Sequence, residues 1–209
     1  MNKKISNEIL NELSKIIIDP KPELNFNNNF ELLIAVMLSA QTKDKYVNEV
    51  TKDLFKKYPD PLSLCNADIN ELFNMIKNLG LANNKSKALI EASKIIHYNY
   101  DDKIPSSLEE LTKLPGVGRK TANVVLALGF QIPALPVDTH LHKMAIRLGY
   151  VKEKSTVLEA EEALKKYIDK ALWIKAHHLF LLYGRYFCLK NNPKCEGCKL
   201  KTYCKYNKK

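Results

Sequence analysis

No run in this 209-residue chain approaches the roughly 20 apolar residues that span a bilayer, which excludes a helical membrane protein. No cationic segment followed by an apolar stretch opens it, so a secretory leader is not expected either, and the sequence predicts a soluble protein of the cytoplasm. Strict alternation of apolar and polar residues is missing, which argues against half-buried strands. Low-complexity linkers and a fixed repeat period are also absent, excluding a solenoid. Arginine is scarce: all but Arg119, Arg147 and Arg185 of the 33 basic residues are lysine, a bias that the base composition of a gene can also produce.

What is present is an ordinary 45% apolar content, enough in a chain of this length to bury a core and to exclude general disorder. The formal charge is +10, pointing to a polyanion such as nucleic acid or an anionic membrane surface. That charge is uneven. From residue 188 onward seven lysines (190, 194, 199, 201, 205, 208, 209) face the single acid Glu196, leaving the rest of the molecule mildly basic.

Apolar positions recur at helical spacing throughout, so the predicted class is all-α. Helices are expected near 5–18, 29–40, 43–57, 68–78, 84–98, 107–113, 118–130, 138–148, 156–168 and 172–187, with proline and glycine (Pro20, Pro22, Pro59, Pro61, Gly80, Pro105, Pro115, Pro133, Pro136, Gly149) between them. Ser106 with Glu109, and Thr156 with Glu159, have capping-box spacing. The segment 29–40 is apolar nearly all round, as a helix surrounded by other helices would be.

Cys188, Cys195, Cys198 and Cys204 form the pattern C-x6-C-x2-C-x5-C, with Asn192, Pro193 and Gly197 allowing the loop to curl. In a reducing compartment such a group is poor disulfide material. Four converging thiolates require a cation or cluster to offset their charge. Spacing alone leaves zinc and an iron-sulfur cluster open, although zinc sites of four cysteines more often use two C-x2-C knuckles. Cys65 stands apart and reads as a small core residue. Lys190, Lys194, Lys199 and Lys201 surround the loop and together suit a phosphate-facing surface; singly, each reads as a solvated charge.

Leu111 to Ala122 reads L-T-K-L-P-G-V-G-R-K-T-A and sets Pro115, Gly116 and Gly118 between a short helix and a long apolar one. Such glycines permit a tight turn and let backbone amides meet an anion at the positive end of the next helix. The segment resembles the helix-hairpin-helix of DNA repair glycosylases, which grips phosphate without reading sequence. Pro136-Val-Asp-Thr-His140 follows, then the cysteine tail, in the order of the endonuclease III family. Phe30 to Asp44 (F-E-L-L-I-A-V-M-L-S-A-Q-T-K-D), Gly80-Leu81 and Asn84-Lys-Ser-Lys-Ala88 also resemble that family, so the likeness covers nearly the whole chain.

The resemblance implies a six-helix barrel over 22–132, a second lobe of 1–21 and 133–209 holding a [4Fe-4S] cluster on the four tail cysteines, and double-stranded DNA in the cleft between them. It further implies a bifunctional glycosylase that removes oxidised pyrimidines and cleaves the abasic site. Lys120 would be the nucleophile and Asp138 its acidic partner. Gln41 and Leu81 would fill or wedge the space left by an extruded nucleotide, and Pro115, Gly116, Gly118, Arg119, His140, Lys190 and Lys194 would contact DNA. A monomer acting at the bacterial nucleoid, without a membrane partner, is the expected setting.

The chemistry fits these residue types. A base inside the duplex must be flipped out before it can be attacked. An apolar wedge and a hydrogen-bonding plug suit the gap. An amine can displace the base and form a Schiff base, whereas water would stop after base removal; burial of Lys120 beside the positive end of a helix would favour the uncharged form required. Asp138 stands at a helix start, where a carboxylate also caps free amides, and the two roles can coexist. His140 and His142, two apart, point to different faces of a helix and receive no catalytic role; His177 and His178 read as part of a buried helix surface. Where the family commonly continues after Asp138 with an aromatic and an arginine, this chain has His142 and Lys143, which predicts a single phosphate contact in place of a bidentate one. Two rival readings are an adenine-mismatch glycosylase, which lacks the lysine and usually carries a further domain, and a non-catalytic cluster protein that binds DNA structures.

Overall fold

A computed structural model describes residues 1–206; Lys208 and Lys209, counted in the basic tail, lie outside the described residues. Among the described residues the regular structure is entirely helical. The helices are α1 (Lys3–Ile16), α2 (Asn29–Leu38), α3 (Asp44–Lys57), α4 (Pro61–Cys65), α5 (Ile69–Ile76), α6 (Ala82–Tyr100), α7 (Leu108–Lys113), α8 (Arg119–Gly129), α9 (Thr139–Leu148), α10 (Val157–Tyr167) and α11 (Trp173–Tyr186), with a 3-10 turn over Lys170–Leu172. The all-α expectation holds, and no helix among the described residues is long and apolar enough to cross a membrane.

Three local details differ from the sequence reading. The short α4 was read as punctuation because of Pro59 and Pro61. Pro61 instead occupies the first helical position, where its missing N–H costs nothing, and Asp60 with Ser63 closes a capping box before it. The cap of α7 falls one residue later than expected: Ser107, not Ser106, accepts from the Glu110 amide at 3.2 Å and donates to its carboxylate at 2.8 Å. Helix α6 begins two residues early, at Ala82, because Leu81 enters it in a left-handed conformation. The Thr156–Glu159 box of α10 forms as expected.

The chain divides into two compact units, residues 22–132 and residues 1–21 joined with 133–209. In the first, α2 is the centre: every residue from Phe30 to Leu38 is buried, with α3, α6 and α8 packed around it. This is why its apolar residues show no polar stripe. Leu54, Leu64, Leu72, Ile76, Leu89, Leu111 and Val125 complete that core.

In the second unit α1 returns from the start of the chain to lie on α11, which also packs on α9. Its core runs from Ile9 and Leu13 through Leu135, Val137, Leu141 and Met144 to Leu179, Phe180 and Leu200. His177 and His178 are buried here, in agreement with the sequence reading, and burial pushes the pKa of His178 down. Gly184 marks the closest approach of α11 to α9: a Cβ there would stand 3.1 Å from the His140 carbonyl oxygen and 3.3 Å from Met144 Sδ. Replacing Gly184 with valine overfills this contact and is expected to destabilise the fold by about 1–3 kcal/mol. Denaturant unfolding against wild type measures the difference; an unchanged midpoint would contradict the close packing.

Candidate functional site

The turn between α7 and α8 depends on one of its two glycines. Gly116 adopts φ +77°, and a Cβ at that position would lie 2.9 Å from Ala88 Cβ and 3.1 Å from Met37 Cε. Both conformation and space therefore demand glycine. Gly118 differs from the expectation: its φ of −86° is open to any residue, and a Cβ there would meet nothing within 4 Å. What Gly118 contributes is bareness. It is the N-cap of α8 and offers no side-chain oxygen to the first amides of the helix, so the helix start carries no cap of its own. Leu114 and Val117 are buried and anchor the turn.

Arg119 and Lys120 emerge from the first turn of α8, and both are exposed. Burial of Lys120 was expected; the protein alone does not provide it. The helix start places the positive end of the peptide dipoles beside the amine.

Gln41 and Leu81 lie on neighbouring loops of the same unit. Both have left-handed backbones, φ 56° and 62°, unusual for residues with a Cβ and costing of order 1–3 kcal/mol each. Leu81 is 49% exposed, an apolar side chain presented to solvent at a strained position. The loops touch: a Cβ on Gly80 would stand 3.2 Å from the Gln41 carbonyl oxygen.

In the other unit, Asp138 is the N-cap of α9 and accepts from the Leu141 amide at 2.8 Å. The segment before it is pinned by buried Leu135 and Val137 and by His177, whose Nδ1 lies 2.9 Å from the Pro136 carbonyl oxygen. His140 and Lys143 turn toward α11: His140 Nδ1 is 3.3 Å from the Gly184 carbonyl oxygen, and Lys143 Nζ donates to the same oxygen at 2.9 Å. Lys143, expected to face phosphate, is thus committed to an internal bond, and burial pushes its pKa down.

The four tail cysteines line one pocket together with Arg147, Tyr183, Phe187, Pro193, Lys194 and Tyr206. They do not close to the spacing of a single-ion site: among the described residues no group of three His, Cys, Asp or Glu side chains is placed to hold one metal ion. Arg147 was missed as part of this centre. Its guanidinium donates to Cys188 Sγ at 3.1 Å and to the carbonyl oxygens of Leu189 at 2.7 Å and Lys190 at 3.0 Å, and it stacks over Tyr206. Its rarity was the available signal, because a planar five-donor fork does what lysine cannot. Tyr183 Oη lies 3.2 Å from Cys198 Sγ. Lys190 and Lys194 are exposed, and the Lys194 ammonium rests 5.6 Å from the centre of the Phe187 ring. Cys65, by contrast, is buried away from this group, as expected.

Residues 34–170 match the sequence profile of the HhH-GPD superfamily base excision DNA repair proteins. The chain is similar to endonuclease III of Bacillus subtilis, 44% identical over 90% of this chain and 85% of that protein. It is also similar to endonuclease III of Rickettsia felis, 42% identical over 99% and 96%. Among solved structures, a trapped endonuclease III–DNA covalent intermediate superposes with a TM-score of 0.96 at 41% identity, covering 100% of this chain and 98% of that one. A thermostable thymine-DNA glycosylase, 21% identical, shares the fold with a TM-score of 0.82 over 97% and 96%.

The cap and the charge of Asp138 can be separated. Asparagine caps as well as aspartate, so Asp138→Asn is expected to keep wild-type stability, whereas Asp138→Ala loses about 1 kcal/mol. Thermal unfolding of the two variants checks this, and equal losses would show that the charge, not the cap, holds α9.

Proposed function

The chain belongs to the endonuclease III family of the HhH-GPD superfamily of base excision DNA repair proteins, and we propose that Lys120 is the nucleophile with which it both removes a damaged base and opens the abasic site. It is a DNA glycosylase and abasic-site lyase, and its partner is DNA. The observation that carries the assignment is the position of Lys120: an exposed amine in the first turn of α8, beside the uncapped helix start at Gly118, where the peptide dipoles favour a phosphate.

The reaction follows from that placement. Unprotonated Nζ attacks the sugar C1′; the C1′–N bond breaks and its electron pair departs with the base, which takes up a proton. The sugar ring opens to an iminium joined to Lys120. Loss of a C2′ proton then expels the 3′ phosphate, and water hydrolyses the iminium to return the amine. DNA closing over α8 supplies the desolvation that the free protein lacks. Asp138, fixed at its helix start, balances the cationic sugar and accepts protons. Gln41 and Leu81 occupy the gap left by the flipped nucleotide, Arg119, Lys190 and Lys194 meet phosphates, and His140 supports the start of α9. Oxidised pyrimidines are the proposed substrates, and the cytoplasm of a bacterium the place of action.

The tail cysteines fit a [4Fe-4S] cluster: four thiols line one pocket, Arg147 directs a charged donor at the Cys188 sulfur, offsetting thiolate charge, and the Tyr183 hydroxyl adjoins the Cys198 sulfur. Bound there on Cys188, Cys195, Cys198 and Cys204, the cluster would tie the basic loop into a fixed shape and add a redox-capable group.

Incubation with abasic-site duplex and borohydride is expected to give a covalent adduct that disappears in Lys120→Ala, while Asp138→Asn slows base excision by about 10²–10⁴-fold. An adduct of undiminished yield in Lys120→Ala would overturn the assignment. The purified protein is expected to be coloured and to contain four iron atoms per chain; a colourless zinc protein would overturn the cluster.

A further inference from the structure

Lys85 is a buried cation with no part in the chemistry above. It lies at the end of the first turn of α6 and is 7% exposed, yet its ammonium donates to the Leu38 carbonyl oxygen at 2.7 Å, the Ala40 carbonyl oxygen at 2.6 Å and Thr42 Oγ1 at 3.0 Å. An ammonium has three N–H donors, and all three are engaged. Two acceptors are carbonyls at the C-terminal end of α2 and just beyond it, where a helix leaves oxygens unpaired and carries partial negative charge. Burial lowers the pKa of Lys85, while the three oxygens favour the charged form that can donate to all of them.

Its place in the chain matters as much as its bonds. The Lys85 amide donates to the Leu81 carbonyl oxygen at 2.9 Å, closing the first turn of α6 around that left-handed residue. The side chain of the same residue then crosses to both sides of Gln41, binding Ala40 before it and Thr42 after it. One lysine therefore ties together the two strained loops that present Gln41 and Leu81. Lysine suits this position because its point charge reaches three divergent oxygens, which a planar guanidinium does not.

We propose that Lys85 is a positioning residue that holds the Gln41 and Leu81 loops in the paired, left-handed arrangement needed to open a duplex and occupy the gap. This rests on the assignment of those two residues to the gap, and it assigns Lys85 no contact with DNA. A residue acting in this way matters for a lesion that must be flipped out of a stacked duplex. It matters little for an abasic site in single-stranded DNA, where no stack is broken and Lys120 can attack directly.

Lys85→Met keeps the length and shape of the side chain and removes the charge and donors. The expected result is a fall of at least about tenfold in excision of a damaged base from duplex DNA, with cleavage of a single-stranded abasic site within about twofold of wild type. Thr42→Val, which removes only one of the three acceptors, is expected to lower the same ratio by a smaller factor and serves if Lys85→Met does not fold. A 2-aminopurine placed opposite the lesion is expected to brighten less with Lys85→Met than with wild type. Equal losses on both substrates, or an unchanged ratio in the variant that folds, would overturn the proposal. Failure of wild type to excise from duplex at all would instead overturn the underlying function.

Discussion

The turn at Gly116 is the constraint on which the candidate site depends. Because its positive φ and the 2.9 Å clearance to Ala88 admit no side chain, the hairpin sits directly on α2 and α6, and α8 starts at a fixed point. That start sets where the uncapped end of the helix lies and where Lys120 emerges. The same pair of helices carries the other candidate DNA elements of this unit. Ala88, which meets the hairpin, is one helical turn from Lys85, which clamps the Gln41 loop, and Met37 adjoins Leu38, whose carbonyl Lys85 binds. The proposed phosphate grip, nucleophile and gap-filling residues are thus built on one junction, as chemistry that tolerates little misplacement requires.

The second unit is organised on a similar economy. Helix α9 is capped by Asp138, turns His140 and Lys143 inward to one carbonyl of α11, and carries in its last turn Arg147, whose guanidinium gathers the backbone of the cysteine loop. One ten-residue helix links a capping carboxylate to a thiol-lined pocket. Arg147 binds three successive residues of that loop, so the loop is ordered by hydrogen bonds as well as by whatever its cysteines hold.

Much of this was legible in the sequence because it is local. Helical periodicity, the Thr156–Glu159 box and the unbroken apolar face of α2 depend on neighbours in the chain, and the hairpin and cysteine spacings are contiguous motifs. The unforeseen features are those set by packing. Lys85 looked like one lysine in a lysine-rich stretch until the end of α2 and the loop after it supplied acceptors 47 and 45 residues away. Lys143 looked available to phosphate until α11 offered a carbonyl. The left-handed backbones of Gln41 and Leu81 have no sequence signature, since neither is glycine or asparagine. Gly118 misled in the opposite direction: a glycine suggests a conformational need, and here the need is for an uncovered surface.

In the proposed chemistry one amine, at the start of α8, bonds to the sugar. Mass-spectrometric mapping of peptides from the borohydride-reduced protein–DNA adduct locates that bond residue by residue among thirty lysines. The deoxyribose remnant is expected on the peptide containing Lys120; a remnant on any other lysine, or on the amino terminus, would assign the nucleophile elsewhere.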